Sequence, residues 1–206
     1  MLKVFTIAVA ALVLTACAAT GSLNSAVSTY GQWPAERKPA SYAFERLPSQ
    51  QEHYADRQQQ IEDAARGAIE AAGFTPAATP ADAQVKVQVG ARVGTYDRWP
   101  YYDPFWRSVS VSGSFVGSRH GFGRSRLGFG WGWGYDGYGY ASYEREVAVL
   151  IRDQGTGQLL YEARASNSGV SSSINPLMPA MFTAAMKDFP AGGPNPRSVN
   201  VELSKQ

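Results

Sequence analysis

The fold class this sequence predicts is α+β: a mostly antiparallel sheet with two helices packed on one face, plus a long Gly/aromatic-rich loop. Three observations predict it. Apolar and polar residues alternate over 85–93, 143–152 and 199–203, the period of strands with one buried face. Two stretches, one closing at Ala72 and one opening at Asn175, carry apolar residues at helical spacing. The order is strand, helix, strands, helix, strand. In such an order the apolar stripes of the helices and the valine faces of the strands cover one another in two layers.

The N-terminus reads as an export signal. Met1, Leu2 and Lys3 give a positive start, residues 4–13 form an apolar run too short to span a bilayer, and small residues lead into Cys17. Leu14, Thr15, Ala16 and Cys17 fit a lipoprotein cleavage box. A thiol is the side chain that a lipid donor alkylates, after which cleavage frees the cysteine amine for a further acyl chain. Residues 1–16 are thus expected to be a lipoprotein signal peptide, with Cys17 lipidated and residues 17–29 a flexible tether. A single domain spans 30–206, with a Gly/aromatic-rich insertion at about 117–142. One acyl chain holds a membrane only reversibly, and several make the anchor permanent. Cys17 is the chain's one cysteine, so a mature protein lipidated there has no disulfide, thiolate metal site or cysteine nucleophile.

Within the domain, Tyr30 and Trp33 precede a short alternating run at Ser41, Tyr42, Ala43, Phe44 and Glu45, with Pro34 and Pro39 marking bends. Ser49 and Glu52 have the spacing of a capping box and start a helix that runs to about Ala72. Its apolar face is Tyr54, Ile61, Ala64, Ala65, Ala68, Ile69 and Ala72, and Gly73 stops it. Glu62, Asp63, Arg66 and Glu70 read as a solvated face, with Glu62 and Arg66 one turn apart. Val85, Val87, Val89, Ala91 and Val93 make the clearest strand. Val109, Val111, Gly113 and Phe115 make a second alternating run that can pair with it. Residues 143–152 and 159–165 form a hairpin around Asp153, Gly155 and Gly157. Asn175 and Pro176 start the second helix, striped by Met178, Phe182, Ala185 and Phe189. Val199, Val201 and Leu203 alternate in a last strand.

Several of these stretches together resemble a known family. Tyr42-Ala43-Phe44, Ala71-Ala72-Gly73-Phe74, Ala81-Asp82 before Val85 and Val87, Tyr161-Glu162-Ala163-Arg164-Ala165, and Asp188-Phe189-Pro190 occur in the order seen in bacterial envelope lipoproteins carrying domain of unknown function 4136. The resemblance covers nearly all of the domain, from about Tyr30 to Leu203. It implies an envelope location and an α+β fold, and it brings no catalytic residues to carry over.

Composition limits the chemistry. The formal charge of +2 falls to about +1 once Lys3 leaves with the signal, which argues against nucleic-acid binding. Gly132 to Gly137 spells a dinucleotide fingerprint, yet no helix follows, and a segment so rich in glycine matches those letters by chance. His53 and His120, the chain's two histidines, read as solvated side chains, and no spacing marks a metal site. Glu144 and Glu146 share a strand face; with Arg145, Arg152 and Arg164 nearby they read as a cross-strand charge ladder rather than an acid and base pair. No catalytic residue, metal or cofactor is predicted, and the chain reads as no enzyme.

One stretch reads as a binding surface. Between Arg119 and Tyr143 aromatic rings alternate with glycines, and rings give large contact area with few torsions to freeze. Trp131, Trp133 and Tyr135, with Trp99, Tyr101 and Trp106, are its candidate residues. They suit stacking on sugar rings, a lipid headgroup layer or a protein partner. The expectation is a membrane-anchored envelope lipoprotein that acts as a non-catalytic interaction or assembly module. The alternative is a module that binds cell-wall glycan or a small ligand through the aromatic loop. Ala18 after Cys17 favours the outer membrane, facing the periplasm, over retention in the inner one.

Overall fold

The computed structural model describes residues 21–95 and 142–203. Its strands are β1 (Ser22–Tyr30), β2 (Ser41–Phe44), β3 (Thr75–Pro76), β4 (Val85–Thr95), β5 (Tyr143–Asp153), β6 (Leu159–Gly169) and β7 (Arg197–Glu202). Its helices are α1 (Pro48–Glu52), α2 (Ala55–Ala71) and α3 (Met178–Met186), with 3-10 turns at Pro80–Asp82 and Asn175–Leu177. The strands form one sheet in the order β3-β2-β4-β5-β6-β1-β7.

The α+β class stands, but the mostly antiparallel sheet with two helices packed on one face does not. The sheet is mixed, and among the described residues three α-helices accompany it. β2 pairs in parallel with both β3 and β4, with Tyr42 opposite Val85 and Phe44 opposite Val87. The physical reason is the crossover. A strand that returns beside its predecessor after a helix of this length runs parallel to it, whereas a tight turn gives an antiparallel neighbour.

The first helix also divides. Gln50 accepts the Leu47 amide at 2.8 Å, which starts α1 earlier than Ser49, and leucine has no acceptor with which to complete a capping box. The chain breaks at His53 and Tyr54 before α2 begins. Tyr54 is 63% exposed and takes no part in the apolar stripe. Ile61, Ala65, Ala68 and Ile69 do bury.

The seven strands include one that polarity hid. β1 occupies a stretch of small and polar residues expected to be tether, and it lies between β6 and β7, with Val27 opposite Ala165 on one side and Arg197 on the other. The run at Val109 to Phe115 lies outside the described residues; among them, β4 pairs antiparallel with β5 along its whole length.

The main core joins Ile61, Ala65 and Ile69 of α2 and Met181, Phe182 and Ala185 of α3 to Val87, Val89, Val147, Val149 and Ile151. At one end Trp33, Phe74, Tyr161 and Phe189 pack edge to face, with Phe189 4.9 Å from Trp33 and 5.0 Å from Tyr161 between ring centres. On the opposite face of β5, Ala148 and Leu150 form a second, smaller apolar cluster with Leu47 and Leu159.

Candidate functional site: the outer face of the central strands

Alternation along β4, β5 and β6 sends every second side chain away from the main core, and antiparallel register then sets these residues in rows. Arg92, Glu146 and Ser166 make one row; Gly90, Ala148 and Arg164 the next; Gln88, Leu150 and Glu162 the third. The result is a charged face around a small apolar centre.

Three of its acids, Glu45, Glu146 and Glu162, are paired. Arg92 donates to Glu146 Oε2 from Nε at 2.9 Å and from Nη2 at 2.5 Å. Arg164 Nε donates to Glu162 Oε1 at 2.7 Å and its guanidinium stands 5.9 Å from the Tyr30 ring centre. Lys86 Nζ meets Glu45 Oε1 at 2.9 Å, and Gln88 Nε2 donates to the other oxygen of Glu45 at 3.0 Å. The arginines and Lys86 remain partly exposed, while the Glu162 side chain is fully enclosed and its Oε2 has no hydrogen-bond partner.

Enclosure sets the proton affinities. Burial pushes the Glu162 carboxyl above the usual carboxylate range, against the pull of Arg164. Burial, with the neighbouring Glu146 charge, raises Glu144 as well. A carboxyl of raised proton affinity beside a second carboxyl is the arrangement of an acid and base couple, but Glu146 is occupied by Arg92.

The ladder expected from sequence is not found with its expected partners: Glu146 pairs with Arg92, Arg164 pairs with Glu162 on its own strand, and Arg152 donates to the Gly157 carbonyl. Arg145 lies between Glu144 and Glu146 on a strand, so the pleat turns it to the core side. There it is buried, and Nη2 donates to Asn167 Oδ1 at 2.6 Å. Sequence reasoning missed Glu45, Lys86, Arg92 and Glu162. Arg92 and Lys86 sat in plain view as the polar half of the β4 alternation. Glu162 needed the β5 and β6 register, which shifts at Ile151 and Arg152.

His53 is exposed, with Nε2 3.9 Å from Glu52. Cys17, the aromatic residues Trp99, Tyr101, Trp106, Trp131, Trp133 and Tyr135, the glycine fingerprint and His120 all lie outside the described residues. Among the described residues no cluster of three or more His, Cys, Asp or Glu side chains is placed to hold a metal ion, and no helix is long and apolar enough to cross a membrane.

Mixed sheet, short parallel edge and crossover helix define an α+β domain of two unequal apolar clusters. Residues 26–191 match the family model described as Domain of unknown function (DUF4136), and the chain belongs to that family. The chain matches no curated protein. Among solved structures, a PDZ domain protein from Parabacteroides distasonis superimposes with a TM-score of 0.53 at 12% identity, over 92% of this chain and 41% of that one. This chain thus spans under half of that protein's length, and the likeness is one of fold. The PelC dodecamer from Paraburkholderia phytofirmans gives a TM-score of 0.38 at 10% identity over 79% of this chain and 95% of its own. A variant PelC dodecamer from the same organism gives 0.37 at 12%, over 79% and 94%.

Proposed function

We propose that this chain is a lipid-anchored envelope lipoprotein whose domain is a non-catalytic interaction or assembly module. The observation that carries the reading is the pairing of three of the outer-face acids. Glu45, Glu146 and Glu162 each hold a cation, so the polar groups form a fixed pattern of charge rather than a set of waiting acids and bases. Such a pattern favours a complementary protein surface and disfavours others. The Cys17 box and the export signal support an envelope location, and Ala18 after Cys17 supports the outer membrane, facing the periplasm.

Light-activated crosslinking residues in place of Lys86 and of Trp131, introduced separately in intact cells, test this. A discrete protein adduct from either position is the expected result. Turnover of an envelope substrate by the purified protein, abolished by Glu146→Gln with the fold intact, would overturn it. The density of rings around Trp131 and Trp133 favours a second reading, a module for cell-wall glycan. Cosedimentation with purified cell wall that is lost in the Trp131→Ala, Trp133→Ala double variant is its expected outcome, and binding that survives the double change counts against it.

A further inference from the structure

β7 closes the sheet on one side. Among the described residues its one neighbour is β1, with Val201 opposite Leu23 and Asn200 opposite Asn24. The Leu203 amide donates to the Gly21 carbonyl at 2.7 Å, which marks the odd-numbered residues along β7 as the ones bonded to β1. The main-chain groups of Ser198, Asn200 and Glu202 therefore point outward, along the open edge. Lys187, just past the end of α3, donates from Nζ to the Asn200 carbonyl at 3.2 Å. The Asn200 amide and both main-chain groups of Glu202 have no partner among the described residues.

A groove of about 420 Å³ runs beside this edge. One wall is a helical stripe, Pro176, Pro179, Ala180 and Thr183, with Lys187 one turn further on. The other wall is Val201, Glu202 and Leu203. Val201 and Leu203 turn their side chains to the core side, and alternation sends the exposed Glu202 carboxylate to the opposite face. Glu202 thus borders the groove with its main chain. Its carboxylate forms no ion pair among the described residues, whereas Glu45, Glu146 and Glu162 each hold a cation.

These features specify an occupant. Outward amides and carbonyls along an edge pair with extended backbone, which is how a strand is added to a sheet. β5, β6, β1 and β7 pair antiparallel in succession, and an added strand continues that pattern. In such a pair a residue opposite Val201 points to the same face as Val201, into the groove, and a residue opposite Glu202 stands beside its carboxylate. The first position suits an aliphatic side chain and the second a cation. A second copy of β7 fits badly, because pairing its outward residues about Asn200 sets Ser198 against Glu202 and leaves the carboxylate without a cation.

We infer that the β7 edge takes an extended segment of a partner protein as an added antiparallel strand, with lysine or arginine opposite Glu202 and an aliphatic residue opposite Val201. This surface is separate from the outer-face charges, and its chemistry does not depend on a lipid anchor.

The test uses the isotopically labelled full chain at constant ionic strength and the peptide acetyl-Val-Lys-Val-Ser-Val-amide, whose residues stand in turn opposite Leu203 back to Val199. Deuterium exchange of single backbone amides is followed by NMR. Without peptide, the Asn200 and Glu202 amides should exchange fast, while those of Val199 and Val201 are protected by β1. Peptide should slow Asn200 and Glu202 about tenfold once about nine-tenths of the sites are filled. Replacing the peptide lysine with glutamate should weaken binding about fivefold, and Glu202→Lys, which changes an exposed side chain without an ion pair, should reverse that preference. N-methylation at the peptide lysine and serine removes the donors to the Glu202 and Asn200 carbonyls and should abolish binding. No slowing at about 10 mM peptide, equal binding of the N-methylated form, or an unreversed charge preference in folded Glu202→Lys overturns the assignment. Slow exchange of these two amides in the free chain overturns it as well: dependence on protein concentration then identifies a second copy on the edge, and independence identifies coverage by the chain itself.

Discussion

Arg46 grips Glu62 through two parallel bonds, Nε to Oε1 and Nη2 to Oε2, both at 2.6 Å, and the Glu62 side chain is only 4% exposed. Fork geometry and enclosure make this the kind of ion pair whose single removal is expensive, because the remaining charge stays buried. Arg46→Ala is therefore expected to destabilise the domain by about 3 kcal/mol, read as a lowered denaturant midpoint at constant slope. Arg66, which helical spacing pairs with Glu62, instead lies 3.7 Å from Asp63 and over the Phe44 ring, so Arg66→Ala should cost well under half as much. Two acids shape the pH response with opposite sign. Asp153 is held down to about 2 from 3.8, first by the Thr156 amide and then by Arg37. Its contribution is present above pH 3.8 and is lost as pH falls through 2. Glu162 is raised from 4.5 by burial, so the stability it confers is present below that value and is lost as pH rises through its folded pKa. Glu162→Gln should flatten the decline in stability above pH 4.5, and Asp153→Asn should flatten the loss at the acid end. Denaturant midpoints across pH check both, and a variant curve parallel to the parent's would refute the corresponding assignment.

Among the elements, β1 carries the most for the least apparent signal. Its residues are small and polar, yet Leu23, Val27 and Thr29 bury on one side while Asn24 and Tyr30 stay out, and both flanking strands depend on it. Removing residues before Gly21 leaves the sheet whole, so a chain starting there should keep its melting temperature. A chain starting at Tyr30 deprives β7 of its only described neighbour and β6 of one of two, and should fail to show a cooperative transition by circular dichroism. Alternation of strong apolar residues made β4, β5 and the 153–157 turn legible, because valine on every second position has no other use. β1 was not legible, since alanine, serine and threonine alternate without contrast in a hydropathy pattern. The parallel pairing of β2 was hidden for a different reason. Periodicity reports which face of a strand is buried, whereas its neighbour is fixed by the crossover through α2. On the outer face, Glu144 and Glu146 were readable from local period alone. The Glu162 and Arg164 partnership is local too, but its burial against Leu150 follows from long-range register.

At the scale of the whole molecule, the early start of β1 would limit how far the domain stands from a membrane if Cys17 carries the proposed anchor. A tether running from Cys17 to residue 29 would let the domain move some 40 Å from an anchoring surface, at about 3.5 Å per extended residue. With the sheet starting at Ser22, the most that the residues from Cys17 to Ser22 could span is about 17 Å. Under the proposed anchor at Cys17, the end of the sheet where Ser22 stands opposite Glu202 would be the end nearest the lipid. This gives the anchor proposal a test in two parts. Labelling cells with a clickable palmitate analogue should mark the parent chain, and Cys17→Ser should abolish the mark and shift the protein from the membrane to the soluble fraction, with the folded domain unchanged. Inserting a flexible stretch of about 15 residues after Ala19 should leave the label and the melting temperature alone. If partners are reached from the bilayer side, it should alter the crosslinks formed from position 86, because domain height above the membrane then becomes the variable. A Cys17→Ser protein that stayed in the membrane fraction would remove the lipid anchor, and with it the height argument, while leaving the family and the fold untouched.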